Sequence, residues 1–503
     1  MKQAGSRAEE VRRRIISVTQ SIRSTMGTSL GPKGMDKMIT QGNQTTITND
    51  GSTILKMMKM KHPIAQLICN ISHSQDEQSG DGTTSITLLL CSLVEAASAL
   101  IDEKIHPVVV ANAMERAKSV CKEALTKHSV EAKGQNDLRD CIRISLNSKI
   151  VSAYIEAITE VTMQAIQHTV GPDGVLPLQN IRRIKIKGNM EEIKMVPGIV
   201  LSMPLKRKVK FMPRKMKVAI LQCAIGQSKP NLDAKLNVGN YEAMEAVVRE
   251  EKAHVLALCK TIKDLGLDLL IIQKSIVRES LSELALHFLD RLGVLVVDDV
   301  ERKEVELCAE QLSLSPVVDI NEIKESMVGE YLVEDLEGYV KIQVESKVCT
   351  VILRGTDEVI LEEVDRSFND AINVGRLMSA TPRLIAGGGV PELVCCTALA
   401  QYNDPKLPKV SYCVRELAKA LLVVPEMLAV NAGAEAISTL ECLLKAHAQG
   451  PSDLGVSVRA VGPGSMQKEN VIQPLGVSLS GISGALDGAA AIVRIDDFIP
   501  AAK

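Results

Sequence analysis

The sequence predicts a multidomain α+β chain in which a mostly helical part, built from both ends, is interrupted by an α/β insert. Three observations carry that expectation. The chain has 503 residues, more than one hydrophobic core organises. Its two ends show helical spacing of apolar residues between glycine-rich loops. From about Val200 to Thr350, strand-like runs alternate with amphipathic helical patterns.

Val11, Ile15, Val18, Ile22 and Met26 recur at spacings of four and three and predict an amphipathic first helix. Gly27 and Gly31-Pro32-Lys33-Gly34 stop it. Thr45 to Thr48 reads as a short β-branched strand turned by Asn49-Asp50-Gly51, with Ser52 or Thr53 opening the next helix. Gly80-Asp81-Gly82-Thr83-Thr84 is a second tight loop. It feeds Ile86 to Ala99, a segment apolar almost all round and therefore expected to be a buried helix.

In the insert, Val218 to Leu221, Leu269 to Ile272 and Val294 to Val297 read as strands. Between the last two, Leu281, Leu284, Ala285, Phe288, Leu289 and Leu292 form a helical stripe. Beyond Arg354 the pattern is helical again, punctuated by Gly387-Gly388-Gly389 and followed by a long helical region from Ser411 to His447. Ala491-Ile492-Val493-Arg494-Ile495 closes the chain as a strand-like run.

Composition excludes several classes. Apolar residues make up 46 % and charged residues 24 %, so the chain is folded rather than disordered. The net charge of -2, with both signs interspersed, points to no nucleic acid and no membrane as partner. Trp is absent, with 4 Phe and 6 Tyr, which leaves little for stacking on bases. The 12 Cys are scattered, and no Cys-x-x-Cys occurs. That usage reads as buried thiols of a reducing compartment. The N-terminus leads into charges, apolar stretches such as 420–430 are broken by proline or charge, and no segment is expected to span a bilayer. A cytoplasmic location is the expectation.

Three loops are candidates for handling phosphate. Leu30-Gly31-Pro32-Lys33-Gly34 lets backbone N–H groups approach an anion, although alone it reads as a helix stop. Asn49-Asp50-Gly51-Ser52-Thr53 sets a carboxylate before a helix, as an ordinary cap would. Gly80-Asp81-Gly82-Thr83-Thr84-Ser85 carries more. Two glycines, a carboxylate and three hydroxyls meet at the start of a buried helix, where free N–H groups attract phosphate and the carboxylate suits Mg²⁺. No Walker lysine follows these glycines, and the triple glycine is not a dinucleotide fingerprint.

Taken together, residues 30–38, Thr48-Asn49-Asp50-Gly51 and Gly80-Asp81-Gly82-Thr83-Thr84 resemble, in order and spacing, the nucleotide-site signature of the chaperonins, and of their group II branch in particular. Asp365-Arg366-Ser367-Phe368-Asn369-Asp370-Ala371 resembles the catalytic-aspartate helix of that family, and Ala386-Gly387-Gly388-Gly389 and Asn431-Ala432-Gly433 resemble its nucleotide-contacting loops. The resemblance runs from Val11 to Asp497. Residues 145–150, 272–278, 284–289, 411–415 and 472–475 resemble one subunit class of the eukaryotic cytosolic member, with Gln473 where many relatives place an acidic residue.

The resemblance implies an ATPase subunit that drives folding of non-native proteins such as actin and tubulin. It implies ATP and Mg²⁺ as cofactors, with Asp81 on the metal and Asp50 and Asp370 as the catalytic carboxylates. Leu30, Gly31, Pro32, Asn49, Asp50, Gly51, Gly82, Thr83, Thr84, Ser85, Gly388, Gly389, Asn431 and Ala432 would bind nucleotide. By itself Asp370 would read as a solvated charge on an amphipathic helix. The implied organisation is an equatorial domain of residues 1–138 and 386–503, an intermediate domain of 139–199 and 351–385, and an apical domain of 200–350. A helical protrusion at about 224–266 would serve as a built-in lid, with no separate lid protein. A helix expected around residues 278–291 would face clients with Arg278, Glu279, Ser282, Glu283 and His287. Paralogous subunits would complete a double ring of eight-membered rings.

Overall fold

A computed structural model describes residues 2–41, 44–58, 60–132, 134–147, 154–171, 174–207, 211–226, 240–275, 279–450 and 452–498. The first helix, α1 (Lys2–Gly27), buries Val11, Ile15, Ile22 and Met26, as its spacing predicts. The hairpin β1 (Lys37–Gln41) and β2 (Gln44–Thr48) follows, antiparallel with Lys37 opposite Thr48. Next come α2 (Gly51–Met57), α3 (Pro63–Ser79), α4 (Thr83–Asp102) and α5 (Pro107–His128). Asp50 caps α2, so that helix opens one residue before the expected Ser52.

The chain continues through β3 (Val130–Glu131), α6 (Gln135–Asn147), α7 (Ile155–Thr169), β4 (Ile181–Lys187) and β5 (Lys194–Pro197). The insert holds β6 (Ile199–Pro204), β7 (Arg214–Leu221), α8 (Tyr241–Asp264), β8 (Leu269–Gln273), α9 (Glu283–Arg291), β9 (Leu295–Val300), α10 (Arg302–Gln311), β10 (Gly329–Leu336) and β11 (Tyr339–Ile342). Its six-stranded sheet has the order β6-β11-β10-β7-β8-β9. The pairs β7–β8 and β8–β9 are parallel, and the connections contain α8 and α9. This is the alternation that the sequence predicts for an α/β unit.

β12 (Cys349–Gly355), buried along its whole length, then runs between β4 and β5. The 23-residue α11 (Glu358–Ala380) returns the chain to the first helices through β13 (Arg383–Ala386). The final part contains α12 (Val390–Ala400), α13 (Pro408–Ala420), α14 (Val423–Ala432), α15 (Ala436–Ala448), the hairpin β14 (Leu454–Ser457) and β15 (Gly462–Ser465), β16 (Ile472–Pro474) and α16 (Leu475–Val493). The long helical region from Ser411 to His447 is thus divided among α13, α14 and α15.

Buried apolar side chains gather accordingly. One large cluster joins Val11, Leu88 and Met114 from the first part of the chain to Cys413, Leu417 and Leu486 from the last. A second joins α6 and α7 to β12 and α11 through Ile142, Ile166, Leu353 and Phe368. The insert packs its sheet on both faces, around Val218 and Ile271 on one side and around Ala219 and Leu289 on the other.

Three expectations are corrected. The run 491–495 is not a strand: α16 continues to Val493 with Ile492 buried and Arg494 as its C-cap. Short apolar β-branched runs fit either structure, and packing against α4 and α5 decides for helix here. Two described helices, Thr83–Asp102 and Leu475–Val493, are long and apolar enough to cross a bilayer. They lie in the core, with 67 % and 56 % of their apolar windows buried. The helix expected at 278–291 begins only at Glu283, where the Ser282 hydroxyl accepts from Ala285 N at 3.2 Å. Glu279 therefore lies outside it, and Arg278 falls outside the described residues. Nine of the cysteines are buried, Cys69 and Cys223 are half-buried, and Cys442 is exposed. Burial pushes the Cys91 and Cys308 thiols up to about 12, so they are inert.

Candidate active site

α4 presents its N-terminus with Gly82 as N-cap and no side chain satisfying the first turn. The Thr83, Thr84 and Ser85 N–H groups have no partner within the helix and form a ready anion site. Asp81 Oδ1 accepts from Gly82 N at 2.7 Å, which fixes the carboxylate beside that end. Gln75 on α3 buttresses the loop from behind, donating to Asp81 O at 3.1 Å and to Val477 O at 3.4 Å.

The third loop joins the second through Asp50. Its Oδ2 accepts from Thr53 N at 2.9 Å and from Thr53 Oγ1 at 2.6 Å, while its Oδ1 accepts from Thr83 Oγ1 at 3.0 Å. Asp50 is therefore a helix cap and a tie to the Gly80–Ser85 loop at once. Gly51 permits the approach: a Cβ there would stand 2.8 Å from both Thr84 N and Thr84 Oγ1.

The first loop is held by α14. Asn431 Nδ2 donates to Gly27 O and Leu30 O, each at 2.9 Å, and Lys33 Nζ donates to Ala432 O at 3.3 Å.

These loops open onto one cleft of about 1050 Å³. Leu30, Gly31, Pro32, Asn49 and Asp50 line it. So do Asp81, Gly82, Thr83, Thr84 and Ser85, and so do Gly388 and Gly389. α11 contributes Asp370, only 8 % exposed, which removes it from the solvated face of its helix. Gly51, Asn431 and Ala432 stand behind this lining rather than in it. Ser282, Glu283 and His287 belong to α9 in the insert, away from the cleft.

Glu392, in the first turn of α12, was not singled out from the sequence, although it lies three residues beyond Gly389. It lines the cleft, and burial pushes its carboxyl up to about 7, against a smaller lowering by its own backbone N–H. The folded chain thus holds a proton that the unfolded chain releases above its ordinary value of 4.5. Stability from this group is complete below that value and declines as pH rises through about 7. The displacement corresponds to about 3 kcal/mol. Glu392→Gln is expected to raise the melting temperature relative to wild type at pH 8 and much less at pH 5, as thermal melts at the two pH values will show.

Residues 22–503 match the TCP-1/cpn60 chaperonin family. The chain belongs to that family. As a chaperonin subunit it is an ATPase and an ATP-dependent chaperone. It is 36 % identical to T-complex protein 1 subunit delta of Homo sapiens over 499 residues, covering 96 % of this chain and 93 % of that one. The same subunit of Encephalitozoon cuniculi is 35 % identical, over 99 % of this chain and 100 % of the relative. That of Candida glabrata is 36 % identical, over 97 % and 96 %. Delta is the subunit class that the segments around residues 145, 272, 411 and 472 resemble, so chaperonin membership and subunit class agree.

Proposed function

We propose that the cleft binds ATP with Mg²⁺ and that its hydrolysis closes a chamber around non-native proteins such as actin and tubulin. The observation that carries the site reading is the Thr83 Oγ1 to Asp50 Oδ1 bond of 3.0 Å, which unites two loops at the start of α4 beside Asp370.

Thr83, Thr84 and Ser85 receive the phosphates on N–H groups, with the Thr84 and Ser85 hydroxyls beside them, and Gly82, whose own N–H is given to Asp81 Oδ1, lets the phosphates come close to the backbone. Leu30, Gly31, Pro32 and Asn49 shape the neighbouring wall, with Gly51 permitting the close approach to Thr84, and Gly388 and Gly389 serve the ribose and base side, with Asn431 and Ala432 holding the first loop in place. Asp81 is the Mg²⁺ ligand. Such an ion is typically held by one or two carboxylates, with phosphate and water completing the shell. When bound, the ion neutralises phosphate charge. Asp50 and Asp370 orient the attacking water and take its proton.

The division into equatorial (1–138, 386–503), intermediate (139–199, 351–385) and apical (200–350) domains is supported by the three sets of buried clusters. The protrusion at about 224–266 is supported by α8, 24 residues long with an exposed N-terminal half that includes Tyr241 and Met244. Residues 227–239 of it fall outside the described residues. On this reading the subunit carries its own lid. It works in the cytoplasm with paralogous subunits in a double ring of eight-membered rings, and α9 offers Ser282, Glu283 and His287 to clients.

Native mass spectrometry of the complex recovered with this chain, with ATP turnover assayed with and without Mg²⁺, tests the proposal. A double ring of mixed subunits with Mg²⁺-dependent turnover is expected. A ring of this chain alone would replace the hetero-oligomer by a homo-oligomer, and turnover without Mg²⁺ would remove Asp81 from its role.

A further inference from the structure

α3 ends at Gly80, whose N–H donates to Asp76 O at 2.8 Å and whose φ is +67°. A Cβ on this residue would lie 2.4 Å from Asn373 Cβ and 2.8 Å from Asn373 Nδ2. The backbone that opens the Gly80-Asp81-Gly82 loop is thus in direct contact with α11, and only a residue without a side chain permits it. Asn373 is 4 % exposed, and its Oδ1 is buried without a hydrogen-bond partner.

Asp370, Asn373 and Arg376 follow one another at three-residue intervals on α11 and share one side of it. Arg376 reaches across to α3 as well. Its Nη2 donates to Gln78 O at 2.7 Å and to Glu77 O at 3.0 Å. These carbonyls belong to the last turn of α3, and the Gly82 N–H that would serve Gln78 is given to Asp81 Oδ1. A guanidinium there also meets the negative end of the helix dipole.

We propose that Arg376 is a positioning residue for ATP hydrolysis. Its clamp on the end of α3, together with Asn373 against Gly80, sets how closely α11 approaches the phosphate loop and thereby places the Asp370 carboxylate. Arg376 lies about 9 Å along the helix axis from Asp370. It is not among the residues that line the cleft and acts only through α11. The proposal rests on the reading of Asp370 as the group that acts on water.

The test is ATP turnover and ATP binding at this subunit's own site in the assembled complex, with the contribution of the paralogous subunits subtracted, for Arg376→Ala, Arg376→Lys, Asp370→Ala and the two doubles carrying Asp370→Ala. A misplacement on the order of 1 Å lowers a rate by up to about 100-fold. Arg376→Ala is therefore expected to lower kcat by about 10- to 100-fold with KM within about threefold. Arg376→Lys, which keeps a cationic donor, restores most of the rate. In the Asp370→Ala background the Arg376 substitutions change nothing further. An unchanged kcat in Arg376→Ala overturns the proposal, as does a loss of the same size in the Asp370→Ala background, or a rise in KM with kcat intact. Failure of the underlying reading is seen separately, as normal turnover in Asp370→Ala alone. Should Arg376→Ala fail to assemble, Arg376→Gln is used, with a smaller fall in kcat that again vanishes in the Asp370→Ala background.

Discussion

At this subunit's own site, Asp370→Ala is expected to lower ATP hydrolysis by about 10²- to 10⁴-fold while ATP still binds. On the proposed reading the phosphates are received at the start of α4 and along the first loop, which belong to the cluster built from both ends of the chain. Asp370 comes from α11, whose buried side belongs to a different cluster with α6, α7 and β12. Loss of its carboxylate therefore leaves the proposed binding elements in place and removes the group proposed to orient and deprotonate water. Asp370→Asn separates the two contributions. It keeps the shape and can still hold water, but it cannot take a proton, so its rate should stay close to that of Asp370→Ala. Single-turnover hydrolysis alongside equilibrium binding of a fluorescent nucleotide decides the matter. Weakened binding with an unchanged rate would make Asp370 a binding residue instead.

Much of this site was legible because its parts are local. Glycines, hydroxyls and a carboxylate at a helix start appear in sequence as Gly80 to Ser85, and α4 forms there because the residues after Thr83 are apolar on every side. What was not legible depends on contacts between distant segments. The bond from Thr83 to Asp50 spans 33 residues, and that from Arg376 to Gln78 spans 298. No periodicity encodes either. Glu392 carried a partial signal, a carboxylate in the first turn after a triple glycine, but only burial gives it a raised pKa. The strand expected at 491–495 failed for a related reason. Ala489 and Ile492 are buried in the core formed with α4 and α5, and that packing fixes helix over a run whose residues favour either form. β1 escaped notice because Lys37–Gln41 alternates weakly and is defined by its pairing with β2.

The largest loss of stability is expected from Phe368→Ala, about 3–5 kcal/mol. Phe368 is fully buried and is among the largest side chains so enclosed. It lies two residues before Asp370 and belongs to the cluster that holds α11 against α6, α7 and β12. The cavity left by the ring has close-packed neighbours on every side, including Val351, Leu353 and Val364, all 0 % exposed. β12 is itself buried along its length and cannot move in to fill the space without breaking its pairing with β4 and β5. Phe498 offers the contrast. It is half-buried near the end of the described chain, with its ring 5.2 Å from that of His62 in an edge-on contact, and its loss removes little packing. Differential scanning calorimetry of the assembled complex should show a clear fall in the first transition for Phe368→Ala and a small one for Phe498→Ala. Phe368→Leu, which keeps most of the volume, should fall between them. Because Phe368 supports the helix that carries Asp370, Phe368→Ala should also lower turnover below the melting range, and equal effects of the two alanine variants on both measurements would show that α11 is not seated by this side chain.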